Sequence, residues 1–138
     1  MSPNTASFLF ECATPNRLVV SQPVDEVIAP GSEGYFGVWA GHAPFLSTLG
    51  IGRLHYRRGQ EEWILALNGG FAEVGPEKVI ILTETAERPD EIDVTRAEEA
   101  RARAETRLSG RTKEEVDFTR AQAALSRALT RLEVAARR

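Results

Sequence analysis

The stretch Glu87-Arg88-Pro89-Asp90-Glu91 divides this 138-residue chain into two segments of unlike composition. All seven prolines lie at or before Pro89, and ten of the eleven glycines precede it, with Gly110 the exception. Nine of the ten aromatic residues precede it as well; Phe118 is the tenth. Residues 1–88 carry six basic and ten acidic side chains, a formal −4, whereas the last fifty carry eleven basic and ten acidic ones and ten alanines. Glycine, proline and aromatic residues in short alternation read as strands and turns. Alanine with mixed charge reads as helix. The join is polar and holds a proline, as a linker does. It sets a boundary between residues 1–88 and residues 89–138.

Working back from the join, strand signals follow one another. Phe8, Phe10 and Cys12 alternate with Leu9 and Glu11, and Arg17–Gln22, Val24–Ala29, Gly34–Val38, Gly52–Arg57, Glu61–Leu67, Gly70–Val74 and Lys78–Glu84 come after. Short strands at this spacing argue for a sandwich or barrel. Trp63-Ile64-Leu65-Ala66-Leu67 is apolar on both parities, which predicts a central strand buried on two sides. Arg57-Arg58-Gly59-Gln60-Glu61 predicts a hairpin tip, and Asn68-Gly69-Gly70 a turn or bulge between strands.

Working forward, Asp93 is suited to cap a helix, its carboxylate accepting from amides one turn in. The first helix is predicted over about Val94 to Leu108, with Val94, Ala97, Ala100, Ala104 and Leu108 on one face. Glu99 with Arg103, and Arg101 with Glu105, are i,i+4 pairs. Ser109–Glu115 breaks the pattern. A second helix is predicted over about Asp117 to Ala136, its stripe being Phe118, Ala121, Leu125, Ala128, Leu129, Leu132 and Ala136. Two such helices with a short loop make an antiparallel hairpin. Faces made mostly of alanine bury little area, so the hairpin should be weakly held and able to move.

The whole is 42% hydrophobic and 27% charged, which excludes a collagenous or wholly disordered chain. No stretch reaches the roughly 18 apolar residues of a membrane helix, and no secretory or transit signal is visible. A single cysteine, Cys12, excludes an internal disulfide and a thiolate metal site, and a net charge of −3 argues against nucleic acid as the main partner. No phosphate-loop glycine motif is present. His42 and His55 lack any metalloprotease or triad setting, so a local hydrogen bond or surface contact is the reading for His42. Among Tyr35, Phe36, Trp39 and Phe45, one or two are expected in a contact patch. Arg96, Arg103 and Arg107 form one line along the first helix, and Arg120, Arg127, Arg131 and Arg138 one along the second. Two such lines side by side suit phosphate or carboxylate, because guanidinium forks bind both bidentately; the plain alternative is a solvated face with intrahelical pairs.

At this point the residues resemble a known family, the epsilon subunit of the rotary proton-translocating ATP synthase. Gly34-Tyr35-Phe36-Gly37-Val38-Trp39-Ala40-Gly41-His42-Ala43-Pro44-Phe45-Leu46 resembles its G-x-x-G-(V/I)-x-P-G-H-A-P-L-L stretch, and Asn68–Val74 its G-G-F-x-E-V strand. Ala86-Glu87 with Ile92-Asp93-Val94-Thr95-Arg96-Ala97 resembles its A-E…I-D-x-x-R-A junction, and Phe118–Val134 is similar to its last helix. Ala40 departs from the family's proline, and Tyr35 stands where a polar or acidic residue is common. The resemblance implies a sandwich of about ten strands followed by a helical hairpin. It implies a non-catalytic rotor-stalk subunit that binds the gamma subunit and the membrane rotor ring of c subunits, with Tyr35, Trp39, His42, Ala43 and Pro44 at that interface. It further implies a peripheral position on the cytoplasmic face of a bacterial cell membrane, with no insertion into it. The helices would fold on the sandwich, or extend into the catalytic head and block hydrolysis, with Arg120, Arg127 and Arg131 facing the beta subunit. No cofactor or metal is required. ATP is implied as a regulatory ligand of the folded hairpin, at Glu87, Ile92, Asp93, Arg96, Ala97, Arg103, Arg127 and Arg131. A free-standing ATP-sensing module is the alternative.

Overall fold

The structure is a computed structural model that describes residues 6–109 and 115–137, without the side chains of 115 and 116. Eight strands come first: β1 (Phe8–Ala13), β2 (Leu18–Val24), β3 (Glu26–Gly31), β4 (Gly34–Val38), β5 (Phe45–Arg58), β6 (Glu61–Val74), β7 (Lys78–Leu82) and β8 (Ala86–Glu87). A 3-10 turn over Pro89–Glu91 leads to helices α1 (Val94–Leu108) and α2 (Glu115–Ala135). The strands form one sheet in the order β2-β1-β7-β6-β5-β3-β4, with β8 added to β6. All pairs are antiparallel except β1 with β7.

The sheet folds over on itself because β5 and β6 are each 14 residues long and serve both layers. The end of β6 pairs β7, while its first half pairs β8. The end of β5 pairs the start of β3. Phe10 of one layer meets Tyr56 of the other at 5.0 Å between ring centroids, and Phe10, Cys12, Val27, Leu54 and Leu65 are fully buried between them. The sandwich is therefore present with eight strands rather than about ten. Glu61–Leu67 and Gly70–Val74 are one strand, not two, and Gly52–Arg57 continues back to Phe45. Asn68-Gly69-Gly70 is a bend inside β6. Gly69 (φ 72°) and Gly70 (φ 115°) take the left-handed conformations that such a bend requires.

Residues 63–67 are buried on two sides as their pattern predicts. Leu65 and Leu67 point into the sandwich with Trp63 packed beside them. Ile64 and Ala66 point the other way, into a second cluster with Ile92, Val134 and Ala135. That cluster seats the helices on the outer face of β6. The predicted tip is a two-residue turn at Gly59-Gln60, where Gly59 has φ 61°.

Helix α1 spans the predicted residues, with Asp93 Oδ1 accepting from the Arg96 amide at 3.1 Å. Helix α2 starts two residues earlier than expected, and most of the predicted breaker, residues 110–114, lies outside the described residues. Ala97, Ala104, Ala121 and Ala128, seven apart on each helix, are at most 3% exposed, so the helices meet along alanine. The stripe expected on α2 needs correction. Phe118 and Leu129 are exposed, while Val134, not in that stripe, is fully buried. The helix turns small residues to α1 and the 134–135 pair to the sandwich, which leaves Phe118 and Leu129 outward and Leu125 and Leu132 half-buried.

Candidate functional site

The N-terminus of α1, the end of α2 and strand β8 enclose a cleft of about 370 Å³. Its lining contains Glu87, Glu91, Asp93, Arg96, Ala97, Ala100, Arg103 and Arg131. Arg96 and Arg103 are two turns apart on α1 and so share a face. Ala97 and Ala100 between them leave open space. The three carboxylates already have partners: Asp93 caps α1, Glu91 pairs with Arg17 at 2.9 Å, and Glu87 accepts from Arg131 Nε at 2.5 Å. Among the described residues neither Arg96 nor Arg103 has a carboxylate within ion-pair distance. The cleft thus offers two exposed guanidinium groups without an ion-pair partner, Arg96 in the first turn of α1 and Arg103 two turns further on, which suits an anion.

The cleft brings together Glu87, Asp93, Arg96, Ala97, Arg103 and Arg131 of the residues named from the sequence. Ile92 lies beneath it, 3% exposed in the helix-side cluster, and does not line it. Arg127 lines a small neighbouring depression with Asn68, Thr130 and Arg131. Arg120 is exposed on α2, and Arg138 lies outside the described residues. Burial alone would raise the Glu91 pKa; hydrogen bonds from the Arg88 amide and from Arg17 overcome it and hold the carboxyl below its usual range.

The turn after β4 forms a second cluster. Trp39 is 45% exposed and its ring lies over Gly37, where a Cβ would meet it at 3.0 Å. His42 sits against Phe45 at 5.0 Å, with Nδ1 2.7 Å from the carbonyl oxygen of Ala43. Ala43 and Pro44 are exposed. The amide of Gly41 donates to Pro76 O at 2.8 Å, so the turn is tethered to the neighbouring loop. Tyr35 is exposed, but its hydroxyl accepts from the Arg53 amide at 3.0 Å and fills the gap where β3 and β5 lose register. Phe36 and Phe45 pack on the core.

One surface was not legible beforehand. Leu18, Ala13, Leu82 and Phe71 are successive cross-strand partners on β2, β1, β7 and β6. Leu18, Leu82 and Phe71 are each more than half exposed, so the row forms an apolar ribbon across one layer. The signal that finds it is parity: Ala72 and Val74 face inward, which turns Phe71 out.

No group of histidine, cysteine, aspartate and glutamate suited to a metal ion occurs among the described residues. His55 lies in a separate groove with Glu26, Ile28, Tyr35, Arg53, Arg57 and Glu62, beside the end of α2. Burial first, then Arg53 and Arg137, push its pKa below the ordinary value, with Glu62 opposing. Arg53 pairs with Glu133 of α2 and Arg57 with Glu26. The unfolded chain then binds the proton more tightly than the folded one. Stability from His55 is full above about pH 6.5 and is lost as pH falls through the lower folded-state value. The melting temperature should therefore fall between pH 7.5 and pH 5.5, and His55→Gln should flatten that slope; an unchanged slope removes His55 as its source.

Comparison with known proteins places this architecture. The family model described as ATP synthase, Delta/Epsilon chain, beta-sandwich domain matches residues 7–89. The model for the same chain's long alpha-helix domain matches residues 90–136. The chain belongs to the ATP synthase delta/epsilon chain family. It is 52% identical over 102 residues to an ATP synthase epsilon chain of Koribacter versatilis, covering 74% of this chain and 72% of that one. Against the epsilon chain of Syntrophobacter fumaroxidans it is 54% identical over 99 residues, 72% and 74% of the two chains. Among solved structures it resembles a chain of the Euglena gracilis mitochondrial ATP synthase, in an OSCP/F1/c-ring assembly, with TM-score 0.81 and 25% identity over 95% of this chain and 82% of that one. A chain from the Tetrahymena thermophila central stalk and c-ring shares the fold, with TM-score 0.62, at 13% identity over 94% of this chain and 97% of that one.

Proposed function

We propose that this chain is a non-catalytic central-stalk subunit of a proton-translocating ATP synthase, and that its helical hairpin regulates ATP hydrolysis. The observation that carries the regulatory part is the cleft between sandwich and hairpin. Its uncompensated arginines lie on α1, its third arginine on α2 and its carboxylates on β8 and the junction, so the seat is complete only while the helices are docked. A polyanion bound there stabilises the docked state by its differential affinity for it. ATP is the ligand proposed: Arg96 and Arg103 for phosphate, Asp93 and the Ala97 gap for the rest. Released helices would reach the catalytic head, with Arg120, Arg127 and Arg131 toward the beta subunit, and stop hydrolysis.

The sandwich supplies two surfaces for a rotor. The ribbon of Leu18, Ala13, Leu82 and Phe71 suits an apolar docking face for the gamma subunit. The tethered turn with Trp39, His42, Ala43 and Pro44, and Tyr35 on the adjoining edge strand, suits the ring of c subunits. No helix among the described residues is long and apolar enough to cross a membrane. A peripheral position on the cytoplasmic membrane face accords with these contacts.

The test is ATP hydrolysis by the cognate catalytic head after adding the full chain or one ending at Glu91. The core cluster lies between Phe8 and Ala86, so the short form retains it. The full chain should slow hydrolysis and the short one should bind without slowing it. If both bind and neither slows it, the hairpin is not a brake; if neither binds, a free-standing ATP sensor replaces the stalk reading. In calorimetric titration of the isolated chain, Arg96→Ala with Arg103→Ala should weaken ATP binding at least about tenfold, since charge-assisted hydrogen bonds contribute about 1.5–3 kcal/mol each. Unchanged affinity takes those arginines out of the site.

A further inference from the structure

We propose that Glu87 and Arg131 form a ligand-independent latch that holds the helices on the sandwich, and that an anion entering the cleft competes with Glu87 for Arg131. The latch stands on geometry alone; the competition rests on the nucleotide reading above.

Glu87 is the stationary half. It lies on β8, opposite Ala66 of β6. The next residue, Arg88, reaches back under the junction, donating to Val19 O at 2.8 Å and to the Tyr56 hydroxyl at 3.2 Å. The Arg88 amide donates to Glu91 Oε1 at 2.8 Å, and Glu91 is held by Arg17, which also donates to Ala86 O at 3.4 Å. Residues 86–91 are thus tied to β2, β5 and β6 independently of the helices. Ile92 is the first residue past the junction to join the helix-side cluster with Ile64 and Ala66 of β6. Arg131 is the moving half, one turn before Val134 on α2. Its bond to Glu87 is the one ion pair among the described residues that joins the junction to α2.

The same carboxylate lines the anion seat. It occupies the Nε edge of Arg131, the edge a phosphate would use, and its charge repels one. Glu87 therefore holds the helices docked and opposes an anion in the cleft. Read as a ligand contact, Glu87 would have the opposite effect on affinity.

The experiment uses the full chain carrying Ala135→Cys, a position 7% exposed when docked. Cys12 is buried and its thiol is pushed up to about 12, so it stays silent in the folded sandwich. Thiol-labelling rate then reads the undocked fraction. Without ligand, Glu87→Gln and Arg131→Gln should each speed labelling about two- to fivefold at low salt, the scale of a partly exposed ion pair, and less at 1 M salt. The double variant should be no faster than either single one, and the swap Glu87→Arg with Arg131→Glu should return toward the parent rate. No acceleration in Glu87→Gln, or no recovery in the swap, overturns the latch. With ATP added, Glu87→Gln should reach half-protection at a lower ATP concentration than the parent. A higher one makes Glu87 a ligand contact and overturns the competition. If ATP does not slow labelling of the parent, the nucleotide reading and the competition fall together, while the ligand-free arm still decides the latch.

Discussion

Leu65→Ala is expected to lower the unfolding free energy by about 2.5–5 kcal/mol, and Ile64→Ala, one residue away, to loosen the helices instead. Leu65 is fully buried at the centre of the sandwich, where the two layers cannot collapse around a missing side chain without breaking the long strands. Large-to-small changes at such sites lose transfer free energy and leave a cavity. A domain has only about 5–15 kcal/mol in all, so this change takes a large share. Ile64 instead belongs to a cluster of five residues that includes Ile92, Val134 and Ala135. Truncating it removes part of the seat of α2 and spares the sandwich core. Urea unfolding followed by Trp63 fluorescence, whose ring stacks on Tyr56 at 5.1 Å, measures the first effect. Proteolysis of α2 under native conditions measures the second. Equal loss of sandwich stability in both variants would mean that helices and sandwich unfold as one unit.

Gly70→Ala is the second large effect, with an expected loss of at least about 4 kcal/mol or failure to fold. A Cβ there would sit 1.9 Å from Leu82 O and 2.8 Å from Thr83 Cα, and no rotamer change moves backbone atoms aside. The φ of 115° adds strain that a side chain does not tolerate. Relief requires β6 and β7 to part where Phe71 pairs with Leu82, so a surviving variant should also lose the apolar ribbon. Gly59→Ala is the control: nothing lies within 4 Å of its Cβ, and only the left-handed φ of 61° opposes it. It should lose about 1 kcal/mol. Thermal melts of the two variants decide the matter, and similar melting points would show that β6 bends elsewhere.

These two residues also mark what was readable in advance. The two-sided apolar pattern of 63–67, the tip at Gly59, the cap at Asp93 and the span of α1 were legible because each is written in residues within a turn or two of one another, although distant Ile92, Val134 and Ala135 are what cover the outer side of 63–67. The fusion of Glu61–Leu67 with Gly70–Val74 was not readable, because a glycine pair permits both a turn and a bend. What chooses is the partner strand: β5 runs antiparallel to β6 on both sides of the bend. The α2 stripe misled for a similar reason. Phe118, Leu125, Leu129 and Leu132 follow helical spacing, yet the helix has two small neighbouring contacts and turns Val134 and the alanines toward them.

Six of the eight residues that line the cleft were named from the family resemblance, as a set without internal order; Glu91 and Ala100 were not part of that set. Residue type and spacing placed Arg96 and Arg103 on one face of α1, since 3.6 residues per turn leaves no choice. Whether Arg127 or Arg131 would join them, and whether Glu87 would face a ligand or an arginine, depended on how α2 lies against β8. By itself, then, the sequence determined the two-part architecture, the strand and helix periods and the pool of charged residues, all properties of local chemistry. The tertiary structure alone decided the number of strands, the apolar ribbon and the pairing of Glu87 with Arg131. Those arise between residues tens of positions apart, where packing against a distant partner outweighs local preference.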